Sequence, residues 1–219
     1  MVRALKVFIF ILCLAPFGLL AWKFFGAHPT DMGSWGAGLG ANPLEVITHS
    51  TGDWTMRFLL ITLAITPLRK LTHQTWLIRF RRMLGLFAFF YGTLHFTTYI
   101  WFDKSFVLQD MLADVAKRRF ITVGFLGFVL MIPLALTSTV WSIRKLGGKR
   151  WQALHRLIYF SAIAGVIHYI WLVKSDLTKP LQYGAILAVL LAYRVVIWIK
   201  PKGGGRKAVV NREMKVSEG

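Results

Sequence analysis

Residues 150–169 read RWQALHRLIYFSAIAGVIHY: a basic start, then an apolar run that holds two histidines, His155 and His168. A bilayer interior disfavours ionisable side chains, so a histidine kept in such a run marks a functional site. A second run, RRMLGLFAFFYGTLH at 81–95, has the same form and carries His95. One of these helices leaves the basic pair Arg81-Arg82 and enters hydrocarbon near Leu84; the other enters near Leu157, just past Arg156. His95 and His168 each lie eleven residues farther on, a rise of about 17 Å at 1.5 Å per residue. Matched depth on two helices running the same way is what an axial pair for one haem requires. Imidazole suits iron, and a haem with two histidine ligands transfers electrons rather than binding exogenous ligands.

Composition agrees with a membrane fold. The chain has 219 residues, 56% of them hydrophobic, and a mean hydropathy of +0.55. That length suits one domain, and several apolar runs approach the roughly 20 residues needed to cross a bilayer. The net charge of +18 is distributed as short clusters between apolar runs, the pattern of topology determinants. No soluble basic domain exists to carry nucleic-acid binding, and the charges favour the lipid surface instead. Cys13 is the only cysteine, and no C-x-x-C-H motif is present. Any haem is therefore held without a covalent link.

The expected class is an all-α membrane protein of six transmembrane helices forming a haem-binding bundle over residues 1–199. The spans are placed at 5–25, 53–68, 84–102, 120–139, 151–173 and 181–199, with 200–219 as a flexible basic cytoplasmic tail. The first, after Arg3 and Lys6, has a signal-peptide form without a clear cleavage site and is read as a retained helix. Pro67 and Pro133 are expected to end or kink their helices. Asn42 to His49 reads as a short helix lying at the interface. Of the 27 Lys and Arg, 17 fall on the N-terminal side of the membrane and 7 on the other, with Arg57, Arg156 and Arg194 in or at the ends of spans. Both termini are therefore expected in the cytoplasm.

His155 precedes His168 by thirteen residues, about 20 Å of helix, and so belongs to the inner face as a second redox position. On an ideal helix the two point about 140° apart. Both reach the bundle interior only if the helix bends, which Gly165 eases, or if two cofactors sit on different sides. The residues of the third helix at the depth of His155 are Arg81 and Arg82, which suit propionate or phosphate better than iron. Arg81, Arg82 and Arg156 are thus the expected companions of His155 in an inner cofactor site. His28, His49 and His73 read as loop histidines, Met83 and Met131 as core, and Arg57 as a local ion-pair partner of Asp53 or a snorkelling side chain.

These residues carry a family resemblance. GANP at 40–43, HSTGDW at 49–54, TPLRKL at 66–71 and the two histidine runs are similar to the haem-binding membrane subunits of bacterial periplasmic methionine sulfoxide reductase systems. That family lies within the ferric-reductase-like transmembrane group. Larger members hold two b haems with two histidines on each of two helices, and here Arg81 stands where the fourth would be. The resemblance implies one haem b on His95 and His168 in the inner membrane. At His155 it leaves a weakly ligated second haem, a flavin or a quinone contact open, and FMN is a cofactor it implies. It further implies electrons from the quinol pool or a cytoplasmic flavin reductase, delivered to a periplasmic molybdopterin methionine sulfoxide reductase. Two other readings are a self-contained quinol-dependent ferric reductase and a proton-coupled transporter using the histidines as a relay. The short tail leaves no room for a nucleotide domain, and the spans lack the acidic residues a relay needs.

Overall fold

The computed structural model describes residues 2–26, 37–103 and 106–199; His28 and the tail from residue 200 lie outside them. The regular elements of the described residues are all helices, without a strand. The helices are α1 (Val2–Phe25), α2 (Pro43–Thr72), α3 (Ile78–Thr98), α4 (Leu108–Lys117), α5 (Arg119–Leu136), α6 (Val140–Leu146), α7 (Gly148–Leu154), α8 (Leu157–Leu172) and α9 (Thr178–Ile199). Five stretches among the described residues are long and apolar enough to cross a membrane: Arg3–Phe25, Thr75–Phe102, Arg119–Leu136, Gly148–Leu172 and Thr178–Ile199.

The helix expected at 53–68 departs from that pattern. It begins at Pro43, where the Asn42 side chain accepts from the Glu45 N–H at 3.3 Å and donates to its carboxylate at 3.0 Å. From this cap the helix continues for 30 residues, so Asn42 to His49 is its first two turns rather than a separate interfacial helix. No proline interrupts it before Pro67, and at Pro67 it does not stop; it ends at His73, whose φ of 58° is left-handed. Its middle carries Asp53, Arg57 and four threonines, which keeps it out of the apolar set. These groups are tolerable because α2 is the core helix: Met56, Phe58, Leu59, Leu60, Leu63 and Ile65 are all buried. Thr51 and Thr55 return their hydroxyls to carbonyls one turn back, at 2.7 and 2.8 Å.

Two helix pairs pack most extensively, α2 with α3 and α5 with α8. Small residues allow the close approach that drives helix association in lipid. A Cβ on Gly127 would stand 3.2 Å from that of Ala164, and one on Gly92 would stand 3.0 Å from Met131. Arg194 ties α9 to both pairs, donating to the Tyr159 hydroxyl at 2.6 Å and to the Leu63 carbonyl at 2.8 Å. Outward on α1 and α9 stand Phe8, Ile11, Leu19, Val189, Val195 and Trp198, all exposed, the surface a lipid phase would cover.

Three further departures concern helix ends. The segment between the third and fourth expected spans holds α4, a helix the charge count treats as loop. Pro133 does not end α5 at once; the helix runs three residues on, and Thr137 closes it through its N–H and hydroxyl on the Pro133 carbonyl at 3.0 and 2.6 Å. The helix expected over 151–173 is broken into α7 and α8 at His155-Arg156. There the Arg156 N–H bonds to Ala153 and the Tyr159 N–H to Arg156 itself, a tightening from four-residue to three-residue spacing. Gly165, read as the bending point, lies within continuous α8 and packs on Met56.

The first helix is anchored by a single side chain. Pro16 lies within α1, and one turn of the ladder there runs through the buried Tyr91 hydroxyl. It accepts from the Phe17 N–H at 3.1 Å and donates to the Cys13 carbonyl at 2.8 Å. Removing it with Tyr91→Phe leaves the buried Cys13 carbonyl and the part-buried Phe17 N–H without that bridge, which costs about 1–3 kcal/mol. A lowered thermal unfolding midpoint with unchanged helix content in circular dichroism is the expected outcome.

Candidate functional site

His95 on α3 and His168 on α8 meet across the bundle, their ring centres 6.2 Å apart and their planes 79° to one another. The Nδ1 of His95 is 2.9 Å from the Thr48 carbonyl of α2. The Nδ1 of His168 is 2.7 Å from the Phe120 carbonyl of α5. A carbonyl only accepts, so both Nδ1 atoms carry the proton and both Nε2 atoms keep a free lone pair. That tautomer is the one an imidazole needs to ligate a metal through Nε2, with its other nitrogen oriented by an acceptor.

Each imidazole lies against a glycine on the helix that supplies its acceptor. A Cβ on Gly52 would stand 3.2 Å from the His95 ring, and one on Gly124 would stand 2.5 Å from His168 Nδ1. The accepting carbonyls, Thr48 and Phe120, each lie four residues before the glycine. The bare backbone one turn above the carbonyl lets the ring lie against the helix and reach the oxygen. The same device thus occurs twice, α2 serving α3 and α5 serving α8. Sequence reasoning did not find Gly52 or Gly124 as site residues, because the signal is a glycine on a different helix from the histidine it serves. The backbone near His95 is tied further by Thr98, whose hydroxyl donates to the His95 carbonyl at 2.7 Å and stands 3.3 Å from that of Thr48.

Among the described residues no three His, Cys, Asp or Glu side chains converge as a metal cluster. The pair is therefore a two-donor site. Two imidazoles bonded through Nε2 to one metal, at about 2 Å each, have ring centres about 6 Å apart. The observed separation fits, and a pair of nitrogen donors fits a metal whose remaining positions a macrocycle fills.

The inner residues are less gathered. His155 ends α7, its Nδ1 donating to the Trp151 carbonyl at 3.0 Å and its ring stacked on Trp151 at 3.8 Å. Its Nε2 is buried without a hydrogen bond of ordinary geometry, and the Leu134 carbonyl also lies against the ring. Arg81, half-buried on the first turn of α3, lies within electrostatic reach of both His155 and Arg194. Arg82 turns to another face, lining a concavity with Arg3, Lys6 and Arg79, and Arg156 is exposed. Arg57 pairs with Asp53 at 4.0 Å, and Lys179 joins the same carboxylate at 3.6 Å.

Gly124→Ala forces a methyl into the His168 ring or the ring off its carbonyl. At Gly85 a Cβ meets nothing nearer than 3.7 Å. Gly124→Ala is expected to lower the thermal unfolding midpoint by several degrees, a core overpacking effect of about 1–3 kcal/mol, and Gly85→Ala to leave it unchanged.

The ferric reductase like transmembrane component family matches residues 51–166, a stretch that contains His95 and His155 and ends two residues before His168. A protein of Herminiimonas arsenicoxydans named protein-methionine-sulfoxide reductase heme-binding subunit MsrQ is 56% identical over 193 residues, covering 87% of this chain and 84% of its own. The protein of the same name from Bordetella pertussis is 50% identical over 204 residues, covering 92% and 94%. That of Rhodospirillum rubrum is 46% identical over 201 residues, covering 92% of each chain.

Proposed function

This chain belongs to the MsrQ family of haem-binding subunits, within the ferric-reductase-like transmembrane group, and from that premise we propose that it is a b-type cytochrome of a methionine sulfoxide reductase system. His95 and His168 are the axial ligands of one haem b. The observation that carries this reading is the pair of free Nε2 atoms on rings 6.2 Å apart, each ring fixed by an Nδ1–H bond to a carbonyl. When bound, the haem supplies one-electron transfer at an iron with no open coordination position.

The chain's own part is to hold both imidazoles in one tautomer and orientation before the cofactor arrives. Thr48 and Phe120 accept the ring protons, and Gly52 and Gly124 leave room for the rings. Such outer partners raise ligand basicity and stiffen the site. Packed between helices, the rings change little between oxidation states, which favours rapid transfer in either direction.

Topology gives the site its use. With α2 as a sixth span, both termini lie in the cytoplasm, as the excess of Lys and Arg on that side supports. A haem held by His95 and His168 would lie in the outer half of the inner membrane, where it would supply electrons to a periplasmic methionine sulfoxide reductase with a molybdopterin centre. The relatives' names support a reductase partner, for they call those proteins subunits of one. The inner group is the entry point for a quinol or a reduced flavin from a cytoplasmic flavin reductase. The buried His155 and Arg81, which lies within electrostatic reach of it, supply a titratable group and a cation for an anionic or acidic donor. A flavin there is FMN.

A second reading, a self-contained ferric reductase, is favoured by the family matched at 51–166. It differs in needing no protein partner: the purified chain would reduce ferric chelates at the rate at which its haem is reduced.

Substitution separates the histidines. His95→Ala and His168→Ala are each expected to abolish stoichiometric haem while the protein still inserts and purifies. His155→Ala is expected to keep one low-spin haem and to lose reduction by the physiological donor. Haem content and the reduced-minus-oxidised spectrum are the measurements. Full haem with an unchanged spectrum in both His95→Ala and His168→Ala would overturn the ligand assignment.

A further inference from the structure

One concavity in the structure has no part in the histidine site. It lies between the first turns of α1 and α3, has a volume of about 480 Å³, and is lined by Arg3, Lys6, Ile78, Arg79, Phe80 and Arg82. Four of its six lining residues are cations, all exposed, and no carboxylate lines it. Like charges gathered around one hollow repel, and a bound anion relieves that repulsion. The volume is within the range of small-molecule sites.

Position selects the kind of anion. Arg3 opens one candidate span, Arg3–Phe25, and Arg79 and Arg82 lie near the start of another, Thr75–Phe102. Both are ends of apolar helices, the level at which lipid headgroups lie. Basic pockets between helices at this level bind acidic headgroups. Arginine's planar fork matches phosphate oxygens, and Ile78 and Phe80 put apolar surface on the same wall, where a glycerol backbone and the first acyl carbons would rest. We propose that this concavity binds the phosphate of an anionic phospholipid headgroup, with Arg79 and Arg82 on the phosphate oxygens and Arg3 and Lys6 closing the site from α1. The lipid then fastens α1 to α3 near their N-terminal ends, ahead of the Tyr91 bridge at Cys13 and Phe17, and this role is independent of the histidine pair.

The test uses the full chain, purified in neutral detergent and delipidated. Phosphatidylglycerol, phosphatidylcholine and sn-glycerol 3-phosphate are titrated separately while the thermal unfolding midpoint is followed. Two double variants are compared with the parent: R79Q/R82Q, and R144Q/K149Q, which removes the same charge from exposed positions outside the concavity. Phosphatidylglycerol should raise the midpoint of the parent and of R144Q/K149Q at similar concentrations, with phosphatidylcholine inert. R79Q/R82Q should need about 30-fold more phosphatidylglycerol, at roughly fivefold per basic group. Equal responses from the two double variants would overturn the site, since charge alone would then explain binding. Equal stabilisation by phosphatidylcholine would overturn it too. Stabilisation of the parent by glycerol phosphate at concentrations matching phosphatidylglycerol, lost in R79Q/R82Q, would overturn the lipid source in favour of a soluble phosphate.

Discussion

An imidazole N–H inside a bundle that lipid surrounds has no water to bond, so it must find its acceptor within the protein. Both central histidines solve this in the same way, by donating Nδ1–H to a helix carbonyl on the neighbouring helix. That one constraint settles the tautomer, leaves each Nε2 without a proton, and sets which helices must lie together. The acceptors already serve the helical ladder, and a carbonyl has two lone pairs, so the second bond costs the ladder little.

The pairing of helices follows from it. The histidine of α3 leans on α2 and that of α8 on α5, and these are the two most extensive helix contacts in the structure. Each contact needs a glycine one turn beyond the carbonyl, and Gly52 and Gly124 supply it. The bundle is thus two similar halves, each a histidine helix and its supporting helix, facing one another across the ring pair. The remaining helices brace this unit: α9 through Arg194 on Tyr159 and Leu63, α1 through Tyr91.

Much of this was legible in the sequence, and the rest was hidden for identifiable reasons. His95 and His168 could be paired because each lies a fixed distance past a basic boundary, and depth is a one-dimensional property that residue counting recovers. The break at His155-Arg156 could not be found that way. Neither residue is a helix breaker, and Gly165, the local residue that invites bending, is instead used for close packing on Met56. The full length of α2 was obscured because Asn42 to His49 read as a separate interfacial helix and Pro67 as the end or kink of the span, whereas one helix runs through both. Arg81 and Arg82 looked equivalent as neighbours, yet a helix separates adjacent residues by about 100°. One joins the His155 group, and the other turns to the basic concavity.

The central claim is that these two imidazoles face one another in order to hold one metal macrocycle. Electron paramagnetic resonance of the oxidised, purified wild-type protein, calibrated against its haem-to-protein ratio, tests it most directly. The account predicts one low-spin ferric haem per chain, with the strongly anisotropic signal of imidazole planes set near perpendicular. A high-spin signal, showing an iron with only one protein ligand, would contradict it, as would folded protein that takes up no haem.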